Sequence, residues 1–253
     1  MSCLPATALV LNGRLLYFDV KWALIMRSLW LLLFLLFAPL WSFAMEGDTS
    51  IKAVIFDCGG VIIEHDRDRP HLFVATEFGI PYEEVKESLS KELREVSTGE
   101  EQEGLFWERY AAKYNRRPPN GWLALYMGNY RNHIELVPGM FELVGRLHCA
   151  GYLTPMLSNV IPSNVAILTC MGVYNRFRPL ILSCDVGMAK PDPRIYRYAL
   201  QVLGLKPEET IFVDDSLENV EAAREVGMHA VQFHSASQLE EALEGFGVTT
   251  YYE

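Results

Sequence analysis

Residues 51–63, IKAVIFDCGGVII, limit the possible folds of this chain more than any other segment. A short apolar run ends in a single carboxylate, Asp57, followed after Cys58 by two glycines. An unbroken apolar run bounded by turn residues is the pattern of a strand buried on both faces, and such strands belong to parallel sheets whose connections are helices. With this run at 52–56, similar runs recur at 153–157, 180–182, 210–213 and 230–233, with segments of helical periodicity between the later ones. The punctuation agrees: Pro138 and Pro193 suit first helical turns, Gly227 suits a helix end, and Ser237 with Glu240 has capping-box spacing. The expected fold class is therefore α/β, a doubly wound parallel sheet covered on both faces.

Between the first and second runs, residues 67–137 hold no convincing strand. HLFVATEFGI, EEVKESLSKELREV and EEQEGLFWERYAAKY instead show helical periodicity with charged faces. The chain divides accordingly into a core of residues 49–66 and 138–253 and a helical insertion of residues 67–137. In an open parallel sheet, ligands bind beyond the carboxyl ends of the strands. Asp57, Ser158, Asp214 and Asp215 all fall there. Lys190 stands in GMAKPDP, where Pro191 and Pro193 restrict the backbone. Each residue also has an ordinary role open to it: an acidic pair before SLENVEAA can complement a helix N-terminus, and a strand-end Asp or Ser can simply form a turn.

The first 48 residues differ in character. From Met26 the chain reads MRSLWLLLFLLFAPLWSFA, one basic residue before a leucine-rich run that ends in the small residues Ser42 and Ala44. That is the layout of a signal peptide at 26–44, which implies an exported or periplasmic protein. An uncleaved membrane anchor is the alternative, as is a cytoplasmic protein, and Met26 is a second candidate start. This segment is the one feature that points to a membrane. A formal net charge of -10 speaks against a nucleic-acid partner, which would need a basic surface. Cys58, Cys149, Cys170 and Cys184 lack the close pairing of a zinc site, and a disulfide among them stays open.

Asp57 in its glycine loop, Ser158 in MLSNV, Lys190 in GMAKPDP and the Asp214-Asp215 pair in TIFVDDSLENVEAA resemble, in order and separation, the four motifs of the haloacid dehalogenase-like hydrolase superfamily. Most of its members are Mg²⁺-dependent phosphatases. The resemblance implies a Rossmann-like core with an α-helical cap inserted after the first loop. It makes Asp57 the nucleophile that forms an aspartyl-phosphate, and it makes Lys190 the positive charge beside it. Ser158, with the backbone N–H groups of Asn159 and Gly60, would hold phosphate oxygens. Mg²⁺ would be held by Asp57, the Gly59 carbonyl, Asp215 and Asp214, with Asn219 near the metal or merely capping a helix. The implied partner is a small phosphorylated metabolite. STGEEQEGLFWERY further resembles the cap of a subgroup containing sugar-phosphate phosphatases such as glucose-1-phosphatase, although an amphipathic helix burying its aromatic residues accounts for it equally.

One position departs from the pattern. Where the family's phosphatases carry a second Asp, a general acid and then base, this chain has Gly59. Such proton transfer contributes about a hundredfold to ten-thousandfold, so its loss must show in rate unless it is replaced. Glu64, His65 and Asp66 follow closely and are the candidate replacement acids. Gly59 also leaves open a catalytically weak domain that binds phosphorylated or partner molecules. A dehalogenase needs no second Asp either, but that chemistry needs no metal, and the acidic pair argues against it.

Overall fold

The computed structural model describes residues 50–250 apart from 65 and 67, together with the backbone of two short strands near the N-terminus, β1 (Ala8–Leu11) and β2 (Arg14–Tyr17). These two pair antiparallel, from Ala8 opposite Tyr17 to Leu11 opposite Arg14. No strand is expected there if residues 1–48 are a leader. The local signal is the Asn12-Gly13 dipeptide between two apolar runs, a strong preference of two-residue hairpin connections. The segment 26–44 lies outside the described residues, as does His65. Among the described residues no helix is long and apolar enough to cross a membrane. Residues Met1–Thr49 and Ser50–Glu253 form separate compact units, and the second carries everything that follows.

Its centre is a five-stranded parallel sheet of β3 (Ala53–Phe56), β4 (Met156–Ser158), β5 (Leu180–Leu182), β6 (Thr210–Asp214) and β7 (His229–Gln232), in the order β5-β4-β3-β6-β7. Successive side chains of a strand point to opposite faces. Val54, Phe56, Met156, Ile211 and Val213 accordingly pack with α6 (Met140–Cys149) and α11 (Ala236–Gly245). Ile55, Leu157 and Phe212 turn the other way, onto α9 (Pro193–Leu203) and α10 (Leu217–Glu225). Both faces being dry is why the sequence shows runs rather than alternation.

The second strand is shorter than the run at 153–157 suggests. Leu153 still donates its N–H to Lys52 O at 2.9 Å, and the Val54 and Phe56 amides bond to Leu153 O and Pro155 O, each at 2.9 Å. Pro155 has no N–H to return, so the ladder is interrupted and regular pairing resumes only at Met156.

The insertion folds as α1 (Asp68–Phe78), α2 (Tyr82–Glu92), α3 (Arg94–Ser97), α4 (Glu103–Lys113) and α5 (Trp122–Asn132). A set of helices away from the sheet needs an apolar core of its own. Here it is aromatic: Trp122 meets Phe78 and Trp107 at ring-centroid distances of 4.5 and 5.1 Å, with Phe106, Tyr110 and Tyr126 in the same cluster. The chain enters and leaves the insertion through two segments that pair with each other, Glu64 N donating to Glu135 O at 2.7 Å and Val137 N to Ile62 O at 3.0 Å.

A buried carboxylate fastens the insertion to the core. Glu103 on α4, only 8% exposed, accepts from Ser163 N at 2.8 Å and Ser163 Oγ at 2.7 Å. Ser163 opens α7 (Pro162–Cys170), a helix with no side-chain cap of its own, so Glu103 supplies the acceptor and the negative charge that a helix start favours. Replacing it by alanine strands the Ser163 donors, at a cost of about 1–3 kcal/mol. Glu103→Ala is therefore expected to lower the midpoint of denaturant unfolding, with Glu103→Gln intermediate. Unchanged midpoints in both variants would show that the clamp contributes nothing.

Candidate active site

The strand order decides the site. With β3 in the middle and β4 and β6 on its flanks, the carboxyl ends of three strands set Asp57, Ser158 and Asp214 side by side. A cavity of about 510 Å³ opens above them, and Asp57, Gly59, Ser158, Asn159, Lys190 and Asp215 are among its lining residues. Lys190 enters from the loop between α8 (Ser183–Val186) and α9 and is 4% exposed. Its Nζ lies 2.8 Å from Asp57 Oδ1 and 2.6 Å from Asp214 Oδ2.

Two amides hold this ion cluster in place. The Asn159 side chain accepts from Lys190 N and donates to Lys190 O, both at 2.8 Å, gripping the backbone that carries the ammonium. Asn219 Nδ2 donates to both oxygens of Asp214, at 3.0 and 3.1 Å, and Ser216 N donates to Asp214 Oδ1 at 2.8 Å. Asp214 is completely buried and its oxygens are engaged on every side, so it fixes Lys190 and the start of α10. Asp215 is partly exposed and lines the cavity. The side-chain role of Asn159 escapes sequence reasoning because its partner lies 31 positions away with no local signature.

Gly60 corrects one expectation. Its N–H, expected to meet a phosphate oxygen, donates instead to Ile63 O at 2.8 Å. The glycine is required for a different reason. Its φ is +77°, and a Cβ there would stand 2.5 Å from both Cγ and Oδ2 of Asp215, so a side chain would displace that carboxylate. Glu64 and Asp66 are not brought into the cavity with Asp57. They line a separate small pocket with Arg69 and His133, and Asp66 accepts from the Asp68 and Arg69 amides and from Arg69 Nε, capping the start of α1. Tyr130 of α5, without any sequence signal, does line the cavity.

Burial pushes the Asp57 carboxyl up to about 6, with Lys190 pulling it down and Asp214 pushing it further up. Burial opposes the Lys190 ammonium too, but Asp57 and Asp214 outweigh it and hold that group above the usual lysine range. Oxygens of Asp57, Asp214 and Asp215 all lie within 4.8 Å of one another. Three carboxylates around one ammonium leave two negative charges uncompensated. An all-oxygen set carrying that surplus fits a hard divalent cation such as Mg²⁺.

A model of the haloacid dehalogenase-like hydrolase family matches residues 51–227. Phosphatase MT3486 of Mycobacterium tuberculosis is 28% identical over 189 residues, 72% of this chain and 86% of that protein. The bifunctional epoxide hydrolase 2 of Mus musculus is 40% identical over 74 residues, which cover 29% of this chain and only 13% of that longer protein. Among solved structures, the HAD family enzyme bt-2542 of Bacteroides thetaiotaomicron, in complex with magnesium and inorganic phosphate, shares the fold at a TM-score of 0.62 and 23% identity, over 75% of this chain and 99% of that one. A HAD-like family hydrolase of Porphyromonas gingivalis shares it at a TM-score of 0.67 and 21% identity, over 79% and 98%. With the strand-end aspartates, the buried lysine and the parallel sheet in the order that brings them together, the match over residues 51–227 makes this chain a member of the haloacid dehalogenase-like hydrolase family.

Proposed function

We propose that the protein is a Mg²⁺-dependent phosphatase of small organic phosphate monoesters, sugar phosphates included. The observation that carries this reading is Lys190 Nζ held 2.8 Å from Asp57 and 2.6 Å from Asp214 at the floor of a cavity lined by Ser158 and Asp215. Phosphate esters resist attack because their own charge repels a nucleophile, so a site must neutralise charge and hold the attacker in line. An Asp57 oxygen would form a bond to phosphorus as the ester P–O bond breaks, its electron pair leaving with the alcohol oxygen. Water then attacks phosphorus, the aspartyl bond breaks, and phosphate and the carboxylate are regenerated. Lys190 stays protonated and meets the charge growing on the phosphoryl oxygens. Ser158 and the Asn159 N–H donate to those oxygens. Held by Asp57 and Asp215, with the charge of Asp214 beside them, Mg²⁺ would supply charge neutralisation and orientation of the phosphate.

Gly59 lines the cavity and has no side chain to transfer a proton. The departing alkoxide must take one from water, so the chemistry favours leaving groups that need little help. Aryl phosphates are expected to be turned over at least about a hundredfold faster than alkyl phosphates, all turnover ceasing with chelator. Phosphate release measured across a leaving-group series, with Mg²⁺ and with EDTA, tests this. Turnover that ignores EDTA, or the absence of turnover on every ester, would sink the reading.

A further inference from the structure

The active-site cavity does not end at Asp57. A second cavity of about 550 Å³ runs beneath the insertion and shares Ser90, Tyr130, Asn159, Val160, Asn164 and Lys190 with the first, so the two adjoin. The charged residues it does not share with the first are basic. His71, Lys91 and Arg94 line it, while among the described residues no Asp or Glu does, in a chain with 32 acidic residues against 22 lysines and arginines. Elsewhere on the insertion, Lys86, Arg109 and Lys113 are each matched by a carboxylate. Among the described residues Lys91 and Arg94 form no ion pair. The carboxylate that feels Arg94 is Asp192, already bound through Arg194 Nε and Nη2 at 2.9 and 2.7 Å. His71 Nε2 lies 2.9 Å from Ser90 Oγ, which fixes its ring at the edge of the chamber.

Lys91 and Arg94, at i and i+3 across the junction of α2 and α3, therefore present unpaired positive charge at the end of a chamber whose other end is the phosphate site. Building on the phosphatase reading, we propose that this chamber binds a second anion on the substrate, so that the natural substrate class is a phosphate monoester whose leaving group carries a carboxylate or a second phosphate at its far end, such as a phosphorylated sugar acid or a sugar bisphosphate. A charged partner remote from the reacting phosphorus binds ground and transition states alike, so its loss should appear mainly in KM.

Three alkyl monophosphates of equal chain length, ending in a carboxylate, a second phosphate or a neutral carboxamide, separate the cases. The value of kcat/KM should be about tenfold or more higher for at least one anionic ester than for the carboxamide, the worth of one charge-assisted hydrogen bond, and which anion gains more identifies the group. Arg94→Gln and Lys91→Gln should each shrink that ratio through KM. Lys86→Gln, on the same helix but paired with Asp68, should leave it intact. Equal kcat/KM for all three esters in the parent, or a ratio untouched by both chamber variants, overturns the proposal. If no ester is turned over, calorimetric binding of the matching non-hydrolysable phosphonates decides. Tighter binding of an anion-ended phosphonate, lost in Arg94→Gln, upholds the chamber while the phosphatase reading falls; equal binding of all three ends overturns the chamber as well.

Discussion

Replacing Asp57 by asparagine is expected to lower phosphate release by about a thousandfold or more, because it removes the carboxylate that would form the covalent intermediate and an amide is a poor nucleophile. The same substitution should make the metal-free protein more stable. Burial raises the Asp57 carboxyl from 3.8 to about 6, so between those values the folded chain holds a proton that the unfolded chain has lost. Stability then falls as pH rises through that window and stays lower above it. Asp57→Asn has no such proton. Thermal unfolding in EDTA from pH 4 to 8 should show the parent losing ground to the variant between about pH 4 and 6, a gap that Mg²⁺ narrows by favouring the charged carboxylate. Parallel curves for the two proteins would mean that the buried charge is not strained.

Lys190→Met has the opposite effect on stability. Lys190 is 4% exposed and forms ion pairs with two carboxylates, one of them completely buried. Removing one partner of a buried ion pair leaves a charge without compensation and typically costs about 3–5 kcal/mol. Denaturant unfolding of Lys190→Met should show a loss of that order, together with loss of turnover. Adding Asp214→Asn should recover part of the stability but none of the activity, since the amide removes the orphaned charge without restoring the ammonium. Strictly additive losses in the double variant would show that the two residues are not energetically coupled.

Much of the site is legible in the chain because its parts obey local rules. An apolar run that ends in Asp-x-Gly-Gly marks a strand and its turn, and the runs before Ser158 and before Asp214 do the same. Parallel pairing then places all three residues at one edge whatever the details. Gly60 is legible as a residue type only. Its N–H was open to a phosphate until the turn closed it onto Ile63 O, and the need for glycine comes from Asp215, which is 155 positions away in the chain. Glu64 and Asp66 lie outside the Asp57 cavity for a related reason. Nearness in sequence to Asp57 counts for little once the chain leaves the sheet, and Asp66 is used locally to cap α1.

The sequence alone determined the fold class, the family and the set of acidic and hydroxyl residues at the strand ends, because buried strands and the turns after them carry their signal within a few neighbours. The tertiary structure alone decided how those residues divide the work. Asp214 is tied to Lys190 and Asn219 while Asp215 faces the cavity. Asn159 grips the backbone of Lys190, and Glu103 fastens the insertion to α7. Lys91 and Arg94 become a chamber wall only because the insertion folds over Asn159 and Lys190. Each of these depends on contacts between residues far apart in the chain, and hydrogen bonds and charge pairs of that kind leave no periodic trace in a sequence.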